Sequence, residues 1–278
     1  GCSIADLDTR QGILVVGSNL REEVPIVAHR VRKAARKGAS VAFLNPAVYE
    51  YHFNTAAYVV APADAMVANL AAVLSAAASA VQGVAVTDAH RAAAQALARK
   101  PGLVVLGHLA QRHPQYADLR ALAAGLAAVT GASLGYLSEG ANAAGACLAG
   151  AAPHRGVGGR PLSQAGADAQ AMLRTQQAAY ILFGIEPSKD IADGAAALGA
   201  LRGSTVVAFA SFVSDDLLDV ADVLLPIGTF AETAGTYVNA EGRAQSFDAA
   251  AESHGESRPG WRVLRVLGNE LELPRCEY

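Results

Sequence analysis

Between Leu225 and Phe247 the chain reads LPIGTFAETAGTYVNAEGRAQSF, where unusual residues crowd together without helical or strand periodicity. Glu232, Gly235, Thr236, Asn239, Glu241, Gly242, Arg243 and Gln245 form a polar run in a long connection after Pro226 closes a strand. Glycine permits backbone conformations that other residues resist, so such a segment can wrap closely against a ligand or a neighbouring domain. Glu232, Glu241 and Arg243 are expected to pair with one another as ties across the loop rather than to do acid–base work.

A second candidate is the turn Gly17-Ser18-Asn19, which follows the apolar run GILVV. Backbone amides where a helix begins can cradle a phosphate. A tight strand-to-helix turn is the plainer reading, since neither GxGxxG nor a P-loop is present. A carboxylate ending the second strand would strengthen a nucleotide site, because it can bond a ribose or base. This chain has Asn45 there. Glu139 to Gly145 (EGANAAG), with Asn142 at its centre, is another glycine-bearing turn. Its small residues admit a ligand, or simply let helix pack on sheet. Arg155 and Arg160 could meet a phosphate or a partner's acidic patch, with solvated loop arginines as the plainer reading.

The other chemistry-bearing residues are scattered. His29, His52, His90, His108, His113, His154 and His254 show neither HxxxH nor HExxH spacing, and no metal site is expected. No recognisable Ser/His/Asp order exists, so no catalytic residue is assigned. Cys2, Cys147 and Cys276 form no CxxC pair and cannot by themselves ligate an iron–sulfur cluster or structural zinc. So sparse a set fits a reducing, cytosolic compartment better than a disulfide scaffold.

The elements that must position these groups alternate. Gly12 to Val16 reads as a buried strand, followed by a helix with Glu22 and Glu23 at its start, Pro25 in its first turn, and Gly38 as its stop. Ala39 to Leu44 is a second strand, completing a βαβ unit. Further strands are expected at Val84 to Val86, Leu103 to Gly107, Ser133 to Leu137, Tyr180 to Gly184, Thr205 to Ala208 and Asp222 to Leu225. Helices are expected from Asp88 to about Lys100, from Pro114 to Thr130, around Ala167 to Gln177, and near Trp261. The stretch APHRGVGGRPL (Ala152 to Leu162) is expected to lack regular structure.

This alternation predicts an α/β fold of two doubly wound, mostly parallel lobes. They are expected over 11–130 and 131–250, with a helical C-terminal extension at 251–278. Ligands in such folds sit at the carboxyl ends of the strands. Here those ends include Gly17 to Asn19, Asn45-Pro46, Gly107-His108, Ser138 to Asn142, Gly184 to Glu186, Ala210-Ser211 and the long polar loop.

Composition narrows the partners. Of the 278 residues, 52% are hydrophobic and 17% charged, an imbalance that suggests surfaces covered by packing or by partner subunits. The net charge of −3 leaves no electrostatic footprint for nucleic acid. Ala65 to Val81 is mostly alanine, with Asn69, Ser75 and Ser79 among it. Its apolar stripe (Met66, Leu70, Val73, Leu74, Ala77, Val81) predicts a packed amphipathic helix rather than a span, which needs about 20 strongly apolar residues. The chain opens on Gly1 and shows no signal-peptide pattern, so it is expected to be a piece of a longer polypeptide.

Four segments taken in order resemble the molybdopterin oxidoreductase family: GILVVGSNLREEVPIVAHRVRKAARKGASVAFLNP, GASLGYLSEGANAAGACLAG, AYILFGIEPSKD and DVLLPIGTFAETAGTYVNAEGRAQSF. Within it, the chain resembles the large G-type subunits of bacterial NADH:quinone oxidoreductase (respiratory complex I), over about residues 11–273. The Glu-x-x-Gly-Thr-x-x-Asn-x-Glu-Gly-Arg-x-Gln order is the most specific motif. In catalytic members, the resemblance implies a bis-pterin guanine dinucleotide held by Gly-x-Asn-Pro in the first turn and Asp-Pro-Arg after the second strand. Gly17, Asn19 and Pro46 match here, while Leu20, Asn45 and Ala47 depart, and Ala141 and Ala144 replace polar residues beside Asn142. The carboxylate and guanidinium that a guanosine and its phosphates would use are therefore missing.

The resemblance thus implies a cofactor-free, structural domain. Gly17, Asn19, Asn45, Asn142, Glu232, Gly235, Thr236, Asn239 and Arg243 become vestigial candidates for cofactor binding, and Glu232, Asn239, Glu241 and Arg243 are expected to hold their loop against its own lobe or a partner. The parent complex would be a proton-translocating NADH dehydrogenase, with iron–sulfur clusters elsewhere in the parent subunit. The partners would be other subunits of its peripheral arm, on the inner face of the cell membrane and without membrane insertion. The alternatives are a fragment of an active molybdopterin guanine dinucleotide oxidoreductase and an unrelated nucleotide-binding module.

Overall fold

The structure, a computed structural model, describes residues 1–78 and 83–273. Ser79, Val81 and Cys276 lie outside them, as does the end of the expected C-terminal extension. The chain divides into two compact units, Gly1–Ala144 with Val238–Arg243, and Gly145–Tyr237 with Ala244–Tyr278.

In the first unit, β1 (Gly12–Val16), β2 (Ser40–Asn45), β3 (Ala57–Val60), β4 (Gly102–Leu106) and β5 (Ser133–Tyr136) form one parallel sheet in the order β3-β2-β1-β4-β5. The order reverses at β1, so crossovers run both ways and helices cover both faces. Every residue of β1 is buried. Leu14 and Val16 pack into the layer holding Met66, Leu70, Leu97 and Leu119, while Ile13 and Val15 pack toward Val31 and Phe43. Burying each such side chain contributes about 1.5–3 kcal/mol, which is why the apolar runs settle in the central strands.

Several expectations change here. Ser133–Tyr136, expected to open the second lobe, pairs in parallel with β4 and completes the first sheet. Val84 to Val86 is not a strand but an irregular approach to the helix Asp88–Leu97, whose first turn Thr87 and His90 cap reciprocally. The strand Ala57–Val60 has no counterpart among the expected elements. Glu22 and Glu23 do not open the helix Pro25–Arg36 but lie in a separate turn, Leu20–Glu23. Val24 divides the two with φ −143°, because a residue before proline is pushed out of the helical region. The helix Met66–Ala78 buries Met66, Leu70, Val73 and Leu74. Among the described residues, no helix is long and apolar enough to cross a membrane.

In the second unit, β6 (Ala179–Phe183), β7 (Thr205–Ala210) and β8 (Val223–Pro226) form a parallel sheet in that order. Tyr180, Leu182, Val206 and Ala208 pack with Leu201, Leu217 and Val220 from the helices Gly194–Leu201 and Asp215–Val220. The residues alternating with them along β6, Ile181 and Phe183, are 57% and 43% exposed. A closing helix spans Gly260–Glu270. The segment Ala152 to Leu162 is not wholly irregular: it holds a short 3-10 turn, Val157–Gly159, and bridges from Arg155 to Ala152 and Pro161.

The polar connection also departs from expectation. β9 (Gly235–Val238) and β10 (Ala244–Phe247) form a two-stranded hairpin. All of β10 is exposed, so backbone pairing rather than an apolar face defines it, and alternation in the sequence could not reveal it.

Candidate functional site

The strand order reverses between β2 and β4, and the turns leaving β1 and β4 meet there. Gly17 has φ +66°, and a Cβ on it would lie 2.6 Å from the backbone nitrogen of Ala110. A Cβ on Gly107 would lie 2.2 Å from that of Ser18. Only glycines allow the two turns to approach this closely. This strand-order reversal is where a doubly wound sheet commonly receives a ligand.

The polar groups at this point satisfy one another. Asn45, fully buried, accepts the Ser18 N–H at 2.8 Å and donates its own amide to the Ser18 carbonyl at 3.0 Å. Glu23 accepts the Asn19 N–H at 2.8 Å with one carboxylate oxygen and the Ser18 hydroxyl at 2.7 Å with the other. Nδ1 of His108 stands 3.5 Å from that second oxygen, and its Nε2 lies 3.2 Å from the Ser138 carbonyl. Gln111 donates to the carbonyls of Leu106, Gly107 and Leu137, at the ends of two strands and in the turns beyond them. The Tyr51 hydroxyl reaches the Ser18 carbonyl at 3.4 Å, and burial pushes its ionisation well above the ordinary phenol value. Tyr51 also stacks on Phe43 at 4.3 Å, which fixes the ring.

Of the sequence candidates, Gly17, Asn19 and Asn45 thus come together, around a carboxylate that is not among them. The sequence gives Glu23 only a helix-dipole role. The signal that marks it is its four-residue spacing from Asn19 across a turn stopped by Pro25, which folds the carboxylate back onto the preceding amides.

The remaining candidates sit elsewhere. Asn142 accepts the Val238 N–H at 2.8 Å. The Asn239 side chain accepts the N–H groups of Glu241 and Arg243 at 2.9 and 3.0 Å and so closes the hairpin turn, where Gly242 takes φ +79°. Glu241 accepts the Ile4 N–H. Thr236 meets Ser246 across the hairpin at 2.8 Å, and Gly235 leaves room for the Phe247 ring. In the second unit, Glu232 accepts the Thr229 N–H at 2.7 Å, and this bond leads in holding its carboxyl below the ordinary value. The expected pairing of Glu232, Glu241 and Arg243 does not form: among the described residues no ion pair includes any of them, because each carboxylate is engaged by nearby backbone N–H groups. Arg155 donates within its own loop, to the Gly159 carbonyl at 3.2 Å. Among the described residues, no three His, Cys, Asp or Glu side chains converge as metal ligands.

Residues 1–270 match the molybdopterin oxidoreductase family. The chain belongs to that family. Among its relatives, the G-type subunit of the NADH-quinone oxidoreductase of Mycobacterium bovis is 30% identical over 97% of this chain and 34% of the relative. The corresponding Streptomyces coelicolor protein is 28% identical over 98% of this chain and 34% of its own length. This molybdopterin oxidoreductase domain therefore spans about a third of the curated relatives it matches over nearly its whole length. The mitochondrial NADH-ubiquinone oxidoreductase 78 kDa subunit of Candida albicans is 45% identical over 51 residues, 18% of this chain and 7% of that protein. A solved chain of the formyltransferase/hydrolase complex (FhcABCD) of Methylorubrum extorquens, in complex with methylofuran, superposes with a TM-score of 0.66, covering 98% of this chain and 78% of that one. At 16% identity that likeness concerns the fold alone.

Proposed function

We propose that this family member is a structural, cofactor-free domain of a complex I G-type subunit, serving the arm that carries electrons from NADH to quinone. The G-type relatives, similar along 97% of this chain, support the assignment to that arm. The observation that carries the cofactor-free reading is the Glu23 carboxylate on the Asn19 amide and Ser18 hydroxyl. A dinucleotide phosphate approaching this turn would meet a fixed negative charge instead of free donors, and the Ser18 amide is already held by Asn45. The residues present at the first-unit turn therefore do not fit a pterin dinucleotide.

On this reading, Asn142, Asn239 and Glu232 are structural ties, and iron–sulfur clusters lie elsewhere in the parent subunit. Other peripheral-arm subunits are the partners, at the inner, cytoplasmic face of the membrane. Fluorescence of the protein after denaturation and oxidation tests the claim. No pterin emission is expected, whereas a stoichiometric pterin signal would restore the active-oxidoreductase alternative.

A further inference from the structure

One face of the first unit carries cations that join no ion pair among the described residues. On the helix Pro25–Arg36, Arg30 and Lys33 both pair with Asp8, at 3.1 and 2.6 Å. His29, Arg32 and Arg36 stand three and four residues apart in a separate exposed row. Among the described residues, no ion pair includes Arg21, Arg32 or Arg36.

The row borders a cleft of about 230 Å³, lined by Arg21, His29, Arg32 and His52 together with Pro25, Ala28, Tyr51 and Phe53. No acidic side chain lines it. Arg21 is pinned over the cleft by its bond to the Glu50 carbonyl at 2.9 Å. In a chain of net charge −3, this is a local reversal of sign.

Independently of the function proposed above, we propose that this face is a docking surface for an acidic segment of a partner protein. Two features favour an extended polypeptide over a small anion. The cationic row runs past the cleft to Arg36, along a helix about 18 Å long at 1.5 Å per residue. The arginines of the cleft are exposed, with no buried donors converging on one point as a phosphate cradle needs. Arginine beside aromatic walls is the composition that protein interfaces concentrate. A carboxylate of the partner would bridge Arg21 and Arg32, with an apolar side chain against Tyr51 and Phe53.

Fluorescence anisotropy of the full chain with a labelled glutamate-rich peptide bearing one central tyrosine tests this. The Arg21→Gln/Arg32→Gln variant should weaken binding about tenfold and flatten its salt dependence, since charges at an interface steer and screen in this way. A Lys100→Gln/Arg120→Gln control, with the same charge change elsewhere on the unit, should shift affinity less than about twofold. No measurable binding by the wild type, equal binding by wild type and the arginine variant, or equal weakening in the control would overturn the proposal. Displacement of the peptide by equimolar inorganic pyrophosphate would overturn it too, in favour of a small-anion site.

Discussion

A carboxylate oxygen of Glu23 lies 2.8 Å from the backbone nitrogen of Asn19, four residues earlier, and takes the amide that a strand-to-helix turn would offer an anion. With its other oxygen on the Ser18 hydroxyl, Glu23 closes the turn from within. Glu23→Ala removes both bonds and leaves donors without partners in a partly buried turn. A loss of about 1–3 kcal/mol in urea unfolding is expected, with Glu23→Gln losing less because its carbonyl still accepts. An unchanged unfolding midpoint for Glu23→Ala would show the contact to be incidental.

What the sequence revealed and hid follows from burial. The apolar runs GILVV and LVVLG were legible because the strands they mark, β1 and β4, are buried on both faces. Ala57–Val60 escaped notice as a four-residue edge strand whose burial alternates. The β9–β10 hairpin hid behind polar residues such as Thr236 and Ser246, since backbone pairing leaves no mark in side-chain pattern. Gly17, Asn19 and Asn45 were visible as a turn and a strand end. Glu23 was not, because an acid near a helix start looks the same whether it serves the dipole or a specific amide.

Asn45 both donates to and accepts from Ser18, so aspartate cannot replace it at neutral pH. Asn45→Asp puts an unpaired carboxylate against the Ser18 carbonyl in a fully buried position. A cost of about 1–3 kcal/mol is expected, recovered in part at acid pH when the carboxyl can donate. Adding Ala47→Arg should not confer guanosine nucleotide binding, because Glu23 still holds the turn. Urea unfolding at two pH values and nucleotide titration of the double variant check both statements.

The closeness of the two turns predicts a contrast between glycines. Gly107→Ala would drive its Cβ to 2.2 Å from that of Ser18, and a loss on the order of 3 kcal/mol is expected. Gly199→Ala, within the helix Gly194–Leu201 and with nothing within 4 Å, should instead stabilise by about 0.4–1 kcal/mol. Thermal unfolding of the two single variants measures the difference in sign.

His90 predicts a pH dependence. Burial holds its imidazole below the ordinary value. Its Nδ1 accepts the Thr87 N–H at 3.0 Å, which places the proton on Nε2, facing the Asn69 carbonyl oxygen at 2.9 Å. The unfolded chain takes up a proton near pH 6.5, where the folded chain resists it. Stability from this site is therefore complete above about pH 6.5 and is lost as pH falls through the lower folded value. Unfolding midpoints measured from pH 7.5 to 5 should fall more steeply for the wild type than for His90→Gln.

A cofactor-free role requires the first-unit turn to be closed to nucleotide, and thermal unfolding of the wild-type chain with guanosine diphosphate tests that most directly. Since a ligand at a hundredfold its Kd adds about 2.7 kcal/mol to the folded state, binding would be plain in such a scan. No change in Tm at millimolar nucleotide is the predicted result. A saturable rise of several degrees, abolished by blocking the Ser18–Asn19 turn, would contradict it.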